Sequence, residues 1–110
     1  MSLYADYIKE REGKLTIETD KGFIVYKHYP SLRQMFICEL YIVPNERNSG
    51  LGEFFINHVV EIAHDLGCTH IACTVDTDDA DWNIKHNVLL SRQYKLVTKD
   101  GTLNLYYKDI

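Results

Sequence analysis

Apolar and polar positions change period several times along the chain, and each change marks an element. Ser2 is placed to cap a helix through Glu12 whose apolar edge is Leu3, Tyr4, Tyr7 and Ile8. Lys14–Glu18 and Phe23–His28 alternate as strands do, with a hairpin signal, Asp20-Lys21-Gly22, between them. From Met35 to Val43 nearly every residue is apolar or aromatic, the pattern of a strand buried on both faces. After Pro44 and a glycine-bearing loop, Phe55, Val59, Ile62 and Leu66 recur at helical spacing, and Gly67 is placed to end that helix. His70–Val75 reads as a second buried strand, so strand, helix and strand predict a parallel crossover. Thr77-Asp78-Asp79 supplies caps for a helix near Ala80–Arg92, whose apolar positions Trp82, Val88, Leu89 and Leu90 make a less regular stripe. Tyr94–Thr98 and Leu103–Lys108 are strands around Asp100-Gly101. The predicted order is α-β-β-β-α-β-α-β-β. It describes a single α/β domain over residues 1–110 (α+β by some schemes), a mixed β-sheet with helices on both faces.

Bulk properties narrow the function. The 110 residues are 45% hydrophobic and 25% charged with two prolines, an ordinary globular composition large enough for one core. A net charge of −4 and the absence of any basic run give no footprint for nucleic acid. The three cysteines, Cys38, Cys68 and Cys73, are an odd number and do not form a disulfide framework, which fits a reducing compartment. The N-terminus has no basic-then-apolar signal region and no apolar run is long enough to cross a bilayer. A soluble, cytoplasmic protein without membrane association is expected. Cys68, His70 and Cys73 do not suggest a metal centre, because a strand puts His70 and Cys73 on opposite faces and no fourth ligand is evident.

The chemistry concentrates between Phe36 and Leu66. There Arg47-Asn48-Ser49-Gly50-Leu51-Gly52 joins the central strand to the long helix. Glycines let backbone N–H groups turn toward one point, and the following helix adds the positive end of its dipole, so the loop is suited to an anion such as a phosphate. No Lys-Ser/Thr follows the glycines, which excludes a Walker A loop, and Phe55 stands where a dinucleotide fingerprint has its third glycine.

Leu40-Tyr41-Ile42-Val43-Pro44 followed by Arg-x-x-Gly-x-Gly resembles the central motif of the GCN5-related N-acetyltransferase (GNAT) superfamily. The element order resembles it from about Lys14 onward, with an N-terminus shortened relative to a typical member, as in small phage-type members. The resemblance implies a GNAT-like fold, acetyl-coenzyme A (acetyl-CoA) as acetyl donor and an amine acceptor. The pyrophosphate would rest on N–H groups of Asn48, Ser49, Gly50, Leu51 and Gly52, the pantetheine arm on the backbone of Ile42 and Val43. Arg47 would contact phosphate or brace the loop. Asn83 and Asn87 lie near a coenzyme-contacting position of the family, although capping or exposure explains them too. Asp76, Thr77 and Asp78 stand where open sheets place ligands, or simply cap a helix.

Glu39 is the one carboxylate within the central apolar strand, and period two places it with Tyr41 and Val43, opposite Cys38, Leu40 and Ile42. The resemblance implies a general base at Glu39, with partial burial raising its pKa; a solvated or ion-paired side chain is the other reading. The family's general acid is a tyrosine of the last helix. Its position falls on Leu89, with Gln93 and Tyr94 standing where the family has Gly-Phe, so no acid is in register; Ser91 lies two residues along. The expectation is an acetyl-CoA-dependent N-acetyltransferase with an open groove for an unidentified amine, a protein lysine or N-terminal amine fitting such a groove. A homodimer partner supplying the missing wall is compatible with it. The alternative is a non-catalytic acyl-CoA-binding or protein-interaction module.

Overall fold

A computed structural model describes residues 2–110. Helix α1 (Leu3–Glu12) leads into strands β1 (Leu15–Thr19), β2 (Gly22–Tyr29) and β3 (Gln34–Ile42). Helix α2 (Leu51–Asp65), strand β4 (His70–Asp76), helix α3 (Trp82–Ser91) and strands β5 (Lys95–Asp100) and β6 (Leu103–Asp109) complete the chain. The element order is the expected one, with boundaries moved by one or two residues.

Local chemistry explains the elements. Ser2 caps α1, its Oγ accepting from the Ala5 N–H at 3.1 Å. Gly22 opens β2 where a Cβ would lie 2.3 Å from the Tyr41 carbonyl oxygen, so this close approach of β2 to β3 requires glycine. One sheet forms in the order β1-β2-β3-β4-β6-β5. Only β3 and β4 are parallel, and α2 is their crossover.

Phe55, Val59 and Ala63 of α2 are fully buried and pack with Ile24, Tyr26, Met35, Ile37, Ile71 and Tyr106 of the sheet. Burial of this kind stabilises by roughly 1.5–3 kcal/mol per large side chain. Trp82 and Leu89 of α3 lie against the same cluster. Val25 and Ala72, alternating with those sheet residues, are buried outside it, as are Ala5 and Ile8 of α1. The sheet is thus covered on both faces.

Three sequence expectations need correction. Leu66 does not join the buried stripe of α2; it is half exposed just past the helix, and Ala63 takes the inward position. Val88 and Leu90 of α3 are likewise exposed. The central strand is not buried on both faces throughout: Met35 and Ile37 are buried, whereas Glu39, Leu40 and Tyr41 are exposed. The cause is topological. β3 pairs with β4 only over Gln34–Ile37, while β4 stays paired with β6 up to Asp76. Beyond Ile37 and Cys73 the two parallel strands part, and the sheet forks.

Candidate active site

A β-bulge begins the fork. Tyr26 pairs with Ile37 and Val25 with Glu39, which leaves Cys38 as the extra residue. The bulge resets the alternation, so Ile37 and Leu40 both face α2: Ile37 belongs to the core, and Leu40 Cδ2 lies 3.8 Å from where a Cβ on Gly52 would be. Strict period two is therefore broken at Cys38, which lies on the Glu39 side. Burial raises the Cys38 thiol pKa; the Lys14 charge opposes this and the neighbouring Glu39 carboxylate adds to it.

Past the fork, backbone groups of β3 lack a strand partner. Val43 is not among them, for its N–H donates to the Lys21 carbonyl at 2.9 Å and its carbonyl accepts from the Glu46 N–H at 2.9 Å. Since backbone groups alternate sides along a strand, those of Ile42 and Leu40 face the gap left by β4. The Ile42 carbonyl accepts from Arg47 Nε at 3.0 Å, and the Arg47 guanidinium sits 5.8 Å above the Tyr41 ring. These contacts brace the loop against the end of β3.

The loop then delivers the chain to α2. Ser49 Oγ donates to the Glu46 carbonyl. Asn48 (φ 64°) and Gly50 (φ 88°) are left-handed, and residues 47–50 are exposed. The first helical hydrogen bond runs from the Phe54 N–H to the Gly50 carbonyl at 3.0 Å, and Gly50, as N-cap, offers no side-chain acceptor. Among the described residues nothing accepts from the N–H groups of Asn48 through Glu53. Free donors at the positive end of a 15-residue helix, carrying roughly half a unit charge, form an anion seat.

A cavity of about 650 Å³ extends from that seat and joins a second of about 750 Å³, the two sharing Leu40, Ile56, Val88, Leu89 and Tyr94. The first runs between the start of α2, at Gly52 and Ile56, and the end of α3, at Leu89 and Arg92. Glu53 and Arg92 line it too and pair at 3.1 Å, joining the two helices. The second passes through the fork to Glu39, Tyr41, Phe23 and Asp76.

The expected residues fall unevenly around this cleft. Glu39 lines the second cavity, but it is exposed, so the expected partial burial is absent. Leu89 lines both cavities, at the position anticipated for it, and offers no hydroxyl. Ser91 reaches the first cavity with its hydroxyl spent on the Val88 carbonyl at 2.7 Å. Asn83 and Asn87 are exposed and line neither cavity, whose α3 wall is formed by Ile84, Lys85, Val88 and Leu89. A helix shows the cleft one face, and the asparagines occupy another. Asp76 Oδ1 accepts from the Asp78 N–H at 2.9 Å, an Asx turn at the lip of the second cavity.

Sequence reasoning missed three features. The Phe23–Tyr41 aromatic pair, 5.7 Å between ring centroids, depends on the β2–β3 register. The Glu53–Arg92 ion pair joins charges far apart in the chain. Lys85 pairs with Asp79 at 3.6 Å and Asp81 at 3.5 Å beside the second cavity, and only the Asp81–Lys85 pair carried a legible signal, its i,i+4 spacing.

A parallel pair of strands that part beside a bulge, with an anion seat at the adjoining helix start, leaves a gap suited to a phosphate-bearing ligand. Residues 3–84 match the model of the Acetyltransferase (GNAT) family, and the chain belongs to that family. Acetyl-CoA is the donor that GNAT acetyltransferases use. Over 76 residues the chain is 28% identical to the mouse (Mus musculus) thialysine N-epsilon-acetyltransferase, a match covering 69% of this chain and 42% of that protein. The chain thus corresponds to less than half of that relative's length. The fold is similar to that of the PaiA N-acetyltransferase from Thermoplasma acidophilum, solved in complex with coenzyme A, with TM-score 0.75 and 16% identity over 98% of this chain and 69% of that one. It is also similar to an IAA acetyltransferase from Bacillus cereus, with TM-score 0.72 and 12% identity over 98% and 89% of the two chains.

Proposed function

We propose that this chain transfers the acetyl group of acetyl-CoA to a primary amine. The observation that carries the reading is the fork below an uncapped helix start: free N–H groups of Asn48–Glu53 beside backbone of Leu40 and Ile42 that has no strand partner. The diphosphate sits on the first set. The amide-bearing pantetheine arm lies along the second, taking the place of the strand that parted. Its reactive end lies where the fork closes, beside Ile37 and Cys73.

The acceptor enters through the second cavity, from the side of Glu39 and Asp76. Glu39 and Asp76 share this cavity with the Phe23 and Tyr41 rings, a lining that suits a cationic amine, and the open lip admits a lysine side chain or a peptide N-terminus. Glu39, acting directly or through one water, takes the proton of the attacking amine. The amine nitrogen bonds to the thioester carbonyl carbon, and the C–S bond then breaks with its electron pair leaving on sulfur.

Leu89, which brings no hydroxyl into the cleft, favours a second reading, a non-catalytic acyl-CoA-binding module. Thiol release from acetyl-CoA separates the two, measured with free lysine, S-aminoethylcysteine (thialysine) and short peptides bearing a free N-terminus. Acetylated amine formed in step with free thiol supports the enzyme. Tight coenzyme binding with no product from any acceptor class supports the module.

A further inference from the structure

The departing sulfur carries a negative charge, and a proton donor within reach lowers the barrier. Leu89 cannot supply one and the Ser91 hydroxyl is already engaged. Tyr94 stands just beyond α3, its N–H bonded to the Leu89 carbonyl at 3.0 Å. Only 4% of it is exposed, and its ring belongs to the core cluster.

The hydroxyl of this tyrosine has no hydrogen-bond partner among the described residues, whereas buried tyrosine hydroxyls usually find one. It is not sealed in either: among the described residues the one fully enclosed, unpartnered side-chain polar atom is Thr16 Oγ1. The Tyr94 hydroxyl therefore meets open space, and Tyr94 lines both cavities where they join. Its place along the fork is marked by Cys73, which lines the second cavity with it. Cys73 pairs with Ile37 in the last rung before β3 and β4 separate. An arm lying in the gap ends there, with its sulfur beside Tyr94.

We infer that Tyr94 is the general acid of the acetyl transfer, donating its phenolic proton to coenzyme A sulfur as the C–S bond breaks. This rests on the acetyltransferase reading above. As the tetrahedral adduct collapses, the C–S electron pair passes to sulfur and the O–H proton of Tyr94 follows it, giving the free thiol. The phenolate regains a proton from water in the open cavity, and the amine's proton leaves through Glu39. Burial pushes the phenol up to about 12, with Cys73 raising it and Arg92 lowering it. The neighbouring Cys73 thiol is likewise pushed to about 12 by burial.

The test is Tyr94→Phe, which removes one oxygen and keeps the ring in the core. The expected result is a fall in kcat of about 10²-fold, with coenzyme A affinity, acetyl-CoA KM and thermal midpoint close to wild type. A kcat within threefold of wild type overturns the assignment while leaving the acetyltransferase reading intact. A wild-type chain that binds coenzyme A but acetylates no amine overturns both. Site-specific replacement of Tyr94 by 3-fluorotyrosine keeps the assignment testable if the phenylalanine variant fails to fold. It strengthens the acid without reshaping the ring, so kcat should change at constant KM; an unchanged kcat counts against Tyr94.

Discussion

Gly50 and Gly52 flank the same free N–H groups, yet their replacement by alanine should move stability in opposite directions. Gly50 holds φ 88° and ψ 0°, and a Cβ built there meets nothing within 4 Å. The cost of Gly50→Ala is therefore conformational alone, about 1–2 kcal/mol for a left-handed non-glycine residue. In a chain of 110 residues that lowers the thermal midpoint by about 4–8 °C. Gly52 lies in the first turn of α2, outside the left-handed region, and its Cβ would make an ordinary contact with Leu40 Cδ2 at 3.8 Å. Gly52→Ala should gain about 0.5–1 kcal/mol of helix propensity, a rise of about 2–4 °C. Thermal unfolding with and without coenzyme A reads both effects. At a coenzyme concentration of 100 Kd, wild type gains about 2.7 kcal/mol. Gly50→Ala should lose most of that gain, because its methyl group stands before the donors of the anion seat. An alanine at 50 that melts at or above wild type refutes the strained turn; an undiminished coenzyme shift refutes the seat.

Other perturbations reach other parts of the account. Glu39→Gln should lower the acetylation rate by about 10²- to 10⁴-fold with coenzyme affinity unchanged, measured with an acceptor amine of low pKa; equal rates exclude Glu39 as base. Glu53→Gln removes a negative charge from the first turn of α2 and frees Arg92, so coenzyme A should bind severalfold more tightly at low salt, and less so as ionic strength rises. Its stability should move by less than about 1 kcal/mol, since both partners are roughly half exposed, and weaker binding in calorimetry would count against this role. Cys73 and Tyr94 are raised from 9.0 and 10.0 to about 12 on folding. The unfolded chain deprotonates first, so their contribution to stability is whole below about pH 9 and drains away as pH rises toward 12. Chemical denaturation at pH 8 and pH 10.5 should show a loss that shrinks in Cys73→Ala; a flat profile contradicts it.

The fold was largely legible because its signals are local. Period changes, the Asp20-Lys21-Gly22 and Asp100-Gly101 turns and the Ser2 cap each stand within a few residues, and together they order the elements. The strand-proline-arginine-glycine run likewise located the anion loop. The fork was not legible. An apolar run such as Met35–Val43 reads the same whether its neighbour continues or departs, and the bulge at Cys38 exists only against Val25 and Tyr26. Strict period two therefore puts Cys38 on the wrong side of β3, and motif position does not report that the Val43 backbone groups are already engaged. Asn83 and Asn87 rest on motif position, a one-dimensional measure that does not report which face of α3 meets the cleft. In the sequence Tyr94 is only a stand-in for phenylalanine, because nothing there says that a buried hydroxyl lacks a partner.

Titration of isotope-labelled wild-type protein with coenzyme A, followed by amide NMR, tests the central claim most directly. The account predicts one saturating site. The largest shifts should fall on the N–H groups of Asn48–Glu53, and smaller ones on Leu40 and Ile42 along the fork. No change at millimolar coenzyme A, or shifts confined to residues outside the loop and the fork, would contradict it.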